Sequence, residues 1–188
     1  MKVEETKLKG CYEIISNVYP DERGVFVKTF HNEIFKKFNL QTEYKEEYFS
    51  LSHKGVLRGL HFQLPPYDHD KLVYCTYGSV IDAVVDLRKG SATYGKFELF
   101  YLNSQNGKSI LIPKGMAHGF YVLSEKAIMV YNVSEVYSPA HDSGIRWDSV
   151  GIPWPDQHPI LSDRDRQLAS FSDFITPFEY REEENNEK

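Results

Sequence analysis

The 188-residue chain predicts an all-β fold, an antiparallel barrel or sandwich of short strands with a few short helices at its margin. Three observations predict it. Apolar runs of strand length follow one another at close spacing, each ended by Gly, Pro, Asn or Ser. Aromatic residues make up 14% of the chain, with 13 Tyr and 12 Phe, and such residues favour pleated surfaces. Helical periodicity is confined to one clear stretch.

That stretch is "NEIFKKFNL", where Asn32 is expected to cap the helix and Ile34, Phe35 and Phe38 fall on one face. "GVLRGLHFQ" reads next as a strand, stopped by Pro65 and Pro66. "KLVYCTYGSVIDAVVDLRKG" holds two β-rich runs broken at Gly78-Ser79, which predicts a hairpin. "KFELFYLNSQNGKSILIPKGMAHGFYVLS" repeats the theme with an Asn-Gly turn at Asn106-Gly107, and "AIMVYNVSEVYS" adds another strand. After "GIRWD" Pro and Asp become frequent, so this part is expected to wrap the barrel as loops and a short helix. Residues 1–180 are expected to form a single domain with a sizeable core, and 181–188, "REEENNEK", a mobile charged tail.

Composition narrows the function. A net charge of -5 with a pI near 5.8 argues against a broad nucleic-acid surface, while leaving room for a small anionic ligand held by a local cation cluster. Cys11 and Cys75 offer neither a disulfide framework nor metal-ligand spacing, and Cys75, in an apolar run, is expected to be a buried thiol. "MKVEETKLKG" carries charges where a signal peptide needs apolar residues, and no run approaches the roughly 18 apolar residues of a membrane span. A reduced, cytoplasmic protein without a membrane partner is the expectation.

One segment resists reading as ordinary core. "GVLRGLHFQLPPYDHDK" threads Arg58, His61 and Lys71 through an apolar run. In strict alternation Arg58 and His61 point to opposite faces; a bulge at Gly59 brings them to the same one. A second segment, "GKSILIPKGMAHGF", sets Pro113 and Gly115 as a tight turn before His118. Together the two segments resemble the paired motifs of the cupin superfamily, which implies a cupin-type jelly-roll barrel with a central pocket. A metal-binding cupin has histidine where this chain has Gln63, so the ligand set falls short unless His69 or Asp68 is recruited, and no metal is expected.

The motifs "DERGVF", "GVLRGLHFQLPP", "KLVY", "DLRKGSATYGK", "IPKGMAHGF", "SPAHDSGIRWD" and "ILSDRDR" occur in the order found in the nucleotide-sugar 3,5-epimerases typified by dTDP-4-dehydrorhamnose 3,5-epimerase. The chain resembles that family over most of its length. The resemblance implies a homodimer without metal or redox cofactor. It implies a nucleoside-diphosphate 4-keto-6-deoxy sugar as substrate, inverted at C3, C5 or both, in surface-polysaccharide synthesis. His61 is then the base and Asp165 its partner, Tyr131 the acid on the opposite face, and Lys71 the cation at the enolate oxygen. Arg23, Arg58 and His118 match substrate-binding positions, Gln63 is counted with them, and Phe26 supplies an apolar wall. Arg23 and Phe26 are expected to reach into a neighbouring subunit's pocket.

Two recognition segments depart from the family: Lys28 replaces a glutamate, and Glu46-Glu47-Tyr48 replaces a "QDN" tract. A GDP-linked heptose is therefore an alternative substrate, since Glu46 or Glu47 can accept from guanine N–H groups that thymine lacks. A 3,4-ketoisomerase, a metal-dependent cupin enzyme and a silent sugar-nucleotide binder remain the rival classes.

Overall fold

The computed structural model describes residues 1–181. The expected tail therefore lies, apart from Arg181, outside the described residues. In chain order the strands are β1 (Lys2–Glu5), β2 (Tyr12–Ile15), β3 (Val18–Asp21), β4 (Gly24–Val27), β5 (Glu46–His53), β6 (Leu57–Gln63) and β7 (Lys71–Tyr77). They continue as β8 (Ser79–Asp86), β9 (Phe97–Asn103), β10 (Lys108–Ile112), β11 (Met116–Val122), β12 (Lys126–Val133) and β13 (Asp142–Gly144). Helix α1 spans Asn32–Lys37 and α2 spans Asp163–Gln167.

Two antiparallel sheets face each other as a jelly-roll barrel. One has six strands in the order β1-β2-β10-β7-β12-β5, the other five in the order β13-β6-β11-β8-β9. A separate ribbon, β3-β4, stands apart from both. From β5 to β13, consecutive strands lie in opposite sheets at every step but one, β8 to β9.

This topology corrects the hairpin expected at Gly78-Ser79. The turn exists, with Gly78 at φ +76°, yet it carries the chain from β7 in one sheet to β8 in the other. A Cβ at Gly78 would lie 2.0 Å from the Lys126 carbonyl oxygen, so the corner is packed too tightly for a side chain. Asn106-Gly107 likewise turns between sheets, from β9 to β10.

Both faces of each sheet are largely covered, which is why alternation is weak in the sequence. Between the sheets, Val73, Val84, Phe120 and Met129 form the barrel core. Outside the five-stranded sheet, the loops after β13 lay Ile152, Trp154 and Phe178 over Leu57, Leu60 and Phe62, the wrapping expected for that region. Outside the six-stranded sheet, α1 seats Phe35 against Ile14, Leu72 and Leu111. Full burial of a Phe or Leu contributes about 1.5–3 kcal/mol, so these covers stabilise the fold as the barrel core does.

The α1 expectation needs two corrections. His31, with extended backbone and no side-chain bond, is the N-cap, and Asn32 is the first helical residue, its amide turned to Glu33. Phe38 is 44% exposed, because the helix ends beside it and Leu40 takes the inner position instead. Cys11 and Cys75 are both buried free thiols, as read for Cys75. No helix among the described residues is long and apolar enough to cross a membrane.

Candidate active site

The irregularity at Gly59 positions the site. His61 faces His118 across β6 and β11, whereas Arg58 faces Phe120, so three steps on β6 match two on β11. The extra residue is a bulge that turns Arg58 and His61 to the same face. Gly59 has φ +128°, and a Cβ there would lie 2.6 Å from Gly119 Cα. Glycine opposite glycine is what lets the two strands close over the bulge.

His61 is partly exposed and its Nε2 lies 2.5 Å from Asp165 Oδ1, a carboxylate 3% exposed. Asp165 occupies the first turn of α2, where its N–H donates to the Ser162 hydroxyl that caps the helix. Burial raises the Asp165 pKa, but hydrogen bonds from His61, Ser162 and the Gly59 N–H, with the imidazole's charge, bring it below the ordinary value. An ionised Asp165 accepts a hydrogen bond from Nε2–H, which leaves the lone pair of a neutral His61 on Nδ1. A ring held this way can accept a proton at Nδ1.

Lys71 is 7% exposed and its Nζ donates to the His61 carbonyl oxygen at 3.3 Å. Burial lowers its pKa to about 8, against the pull of Asp142 and Asp82. A poorly solvated ammonium interacts strongly with any charge that develops beside it. Tyr131, on β12, is buried within the barrel, 3.3 Å from the Ser50 hydroxyl and stacked on Tyr48 at 4.8 Å between ring centroids. Burial pushes its phenol well above the ordinary range, which favours the protonated form. His118 touches the Tyr131 ring edge-on and bonds through Nε2 to buried Asp82 at 2.7 Å. Arg58 Nε donates to the Ser52 hydroxyl at 2.9 Å.

A cavity of about 290 Å³ has His61, Gln63, Lys71, Glu46 and Tyr48 in its wall, whereas Arg58, His118, Tyr131 and Asp165 do not line it. Gln63 has its amide occupied within the chain: Nε2 donates to the Tyr67 and Val136 carbonyls and lies 3.0 Å from His69 Nδ1, while Oε1 accepts from the Ser138 N–H. Glu46 accepts from the Tyr137 N–H at 2.8 Å.

The sequence offered His69 only as a spare metal ligand and Tyr48 only within a recognition tract that departs from the family, and it did not single out Glu135, Tyr137, Asp142 or Arg164; all six line the same cavity. Asp142 and Arg164, ion-paired at 2.8 Å, sit inside quoted motifs, and alternation along β5 puts Tyr48 on the face of Ser50 and Ser52. Those were the available signals. Among the described residues no group of three or more His, Cys, Asp or Glu is disposed to hold a metal ion.

Arg23, Phe26 and Lys28 are not brought to His61. Arg23 lies at the tip of the β3-β4 ribbon, 85% exposed and paired with Asp21. Phe26 and Lys28 line a second recess, of about 380 Å³, with Tyr19 and His31.

Residues 5–173 match the family model of dTDP-4-dehydrorhamnose 3,5-epimerase. The chain belongs to that family. As a member of the dTDP-4-dehydrorhamnose 3,5-epimerases it is an isomerase. It is 42% identical to the dTDP-4-dehydrorhamnose 3,5-epimerase of Shigella flexneri, over 92% of this chain and 97% of that one. Among solved structures, a Legionella pneumophila 3,5-epimerase in complex with dTDP-4-keto-L-rhamnose superposes with a TM-score of 0.90 at 32% identity, covering 96% of this chain and 98% of that one. A 3'-monoepimerase of Streptomyces bikiniensis in complex with dTDP-quinovose gives 0.83 at 29% identity, covering 89% of this chain and 86% of that one.

Proposed function

We propose that this epimerase inverts C3 and C5 of a dTDP-4-keto-6-deoxy sugar by proton removal and return through an enolate. The observation that carries the reading is the pairing of His61 with Asp165 on one side of the barrel, with Lys71 buried against the His61 backbone and Tyr131 buried on the facing sheet. The C–H bonds at C3 and C5 flank the ketone. His61 Nδ1 takes the proton, the C–H pair becomes the C=C bond, and the carbonyl pair moves onto O4 as an enolate. Lys71 stabilises that oxygen, the kind of electrostatic contribution that is commonly the largest in such reactions. Tyr131 returns a proton to the carbon from the opposite face, and both groups reset through solvent. Repetition at the second carbon completes the double inversion.

Recognition follows the charge. Arg58 and Arg164 suit the diphosphate, since a guanidinium donates two parallel hydrogen bonds. The dTDP reading is supported by the dTDP ligands of the related structures. The guanine alternative is weakened because Glu46 is engaged by Tyr137 and Glu47 alternates to the outer face of β5. We also infer a homodimer, in which the ribbon carrying Arg23, Phe26 and Lys28 lies over a neighbour's pocket. The exposure of Phe26 at 61% and of Phe49 at 69%, on edge strand β5, supports it.

The test is turnover of a dTDP-4-keto-6-deoxy sugar in heavy water, read by NMR. Deuterium at both C3 and C5 is expected; deuterium at C3 alone makes this a monoepimerase, and no exchange overturns the reading. Competition of dTDP against GDP decides the nucleotide, with tighter dTDP binding expected.

A further inference from the structure

We infer that Tyr48 is a positioning residue for the proton-return step: stacked on Tyr131, it sets the aim of the phenol that serves as acid; this rests on the epimerase reading above. Tyr48 on β5 and Tyr131 on β12 are directly opposite in an antiparallel pair, so both side chains leave the same face of the six-stranded sheet. Their ring centroids are 4.8 Å apart and their planes lie 16° from parallel. Stacked rings attract each other beyond the burial they share. Glu46 and Val133 are the next pair on that face, and Tyr48, Glu46 and Val133 all line the cavity. Tyr131 is 7% exposed and does not line it. Tyr48 is therefore the side chain that joins the acid to the cavity wall.

The other polar and aromatic contacts hold Tyr131 more loosely. Its hydroxyl meets the Ser50 hydroxyl at 3.3 Å, long for a hydrogen bond between hydroxyls. His118 approaches edge-on from the facing sheet, with 6.0 Å between ring centroids. The stack on Tyr48 is the closer of the two ring contacts, and its backbone is paired with β12 along the whole of β5. A group that delivers a proton to carbon must be aimed, and a misplacement of about 1 Å can cost about 10²-fold. Packing by a neighbouring side chain is what locks such a group in place.

Two substitutions separate the ring from its hydroxyl. Tyr48→Phe keeps the stack, whereas Tyr48→Leu keeps apolar bulk and loses it. Both are measured with a dTDP-4-keto-6-deoxy sugar in heavy water. In Tyr48→Leu, epimer formation is expected to fall about 10–100-fold, while exchange of the substrate C–H hydrogens with solvent and KM stay within about threefold of wild type. Tyr48→Phe is expected to hold all three within about threefold. In a Tyr131→Phe background, Tyr48→Leu should add no more than about twofold, because its effect passes through the phenol. A rise in KM alone makes Tyr48 only a wall of the site and overturns the inference. Equal losses in both variants, wild-type epimer formation in Tyr48→Leu, or a full further loss in the double variant overturn it as well. Crystal structures of the two variants give a readout free of turnover: Tyr131 Oη should move by about 1 Å or more in Tyr48→Leu and keep its place in Tyr48→Phe. A wild-type protein that exchanges neither C3 nor C5 defeats the epimerase reading, while the place of Tyr131 Oη still decides whether Tyr48 fixes it.

Discussion

Replacing Asp165 by Asn is the sharpest probe of the base. The substitution keeps the side chain's size and its place in α2, and removes only the charge that faces His61 Nε2 at 2.5 Å. An amide presents either its oxygen or its N–H₂ to the ring. In the second arrangement the ring proton shifts to Nδ1 and the base is lost. General acid–base assistance is worth about 10²–10⁴-fold, so kcat is expected to fall by that range with KM changed less than about fivefold. Stability falls by about 1.5–3 kcal/mol, the value of a hydrogen bond to a charged group. The pH dependence has a fixed sign. The Asp165 pKa is depressed in the folded state, so its contribution is complete above the ordinary carboxylate value of 3.8 and is lost as pH falls through the lower folded value. The variant should therefore lose part of the acid-side decline in Tm. Steady-state turnover and thermal melts between about pH 2 and 7 are the assays. A kcat within about threefold of wild type refutes the assignment of His61 as an Asp165-oriented base.

Three further outcomes are expected. Lys71, with its pKa lowered to about 8, loses its charge as pH rises through that value, so kcat should decline on the alkaline side; Lys71→Arg should move that limb upward, and a limb that stays put shows another group is responsible. Tyr131→Phe should still wash label out of the substrate C–H bonds while forming epimer at least about 10²-fold more slowly, with little change in Tm, because the hydroxyl's hydrogen bond to Ser50 is 3.3 Å long. Gly59→Ala forces a Cβ to within 2.6 Å of Gly119 Cα at φ +128°, so it should cost several kcal/mol and displace His61; retention of both Tm and kcat would contradict the role given to the bulge.

Much of the site was legible because chemistry leaves residues that a core does not want. Arg58, His61 and Lys71 in an apolar run, and His118 after a Pro-Gly turn, announce a pocket before any coordinates exist. The bulge at Gly59 followed from a parity conflict, since residues three apart in a strand face opposite ways. Tyr48 and Arg164 were harder: an aromatic on an exposed strand and an arginine in a charged helix look the same in a sequence whether or not a cavity lies beside them. His69 illustrates the limit best. It read as a spare metal ligand, and the fold is what sets it in the cavity wall two residues from Lys71.

Local chemistry along the chain was enough for the strand-rich class, the turn positions and the motifs that hold His61, His118 and Lys71. Strand pairing was out of its reach. Gly78-Ser79 and Asn106-Gly107 have the composition of hairpin turns, yet each passes the chain between sheets. The reason is physical: turn residues set the local backbone angles, whereas the choice of neighbouring strand follows from burying both faces of two sheets at once. That same global requirement brings Asp165, 104 residues along the chain, against His61.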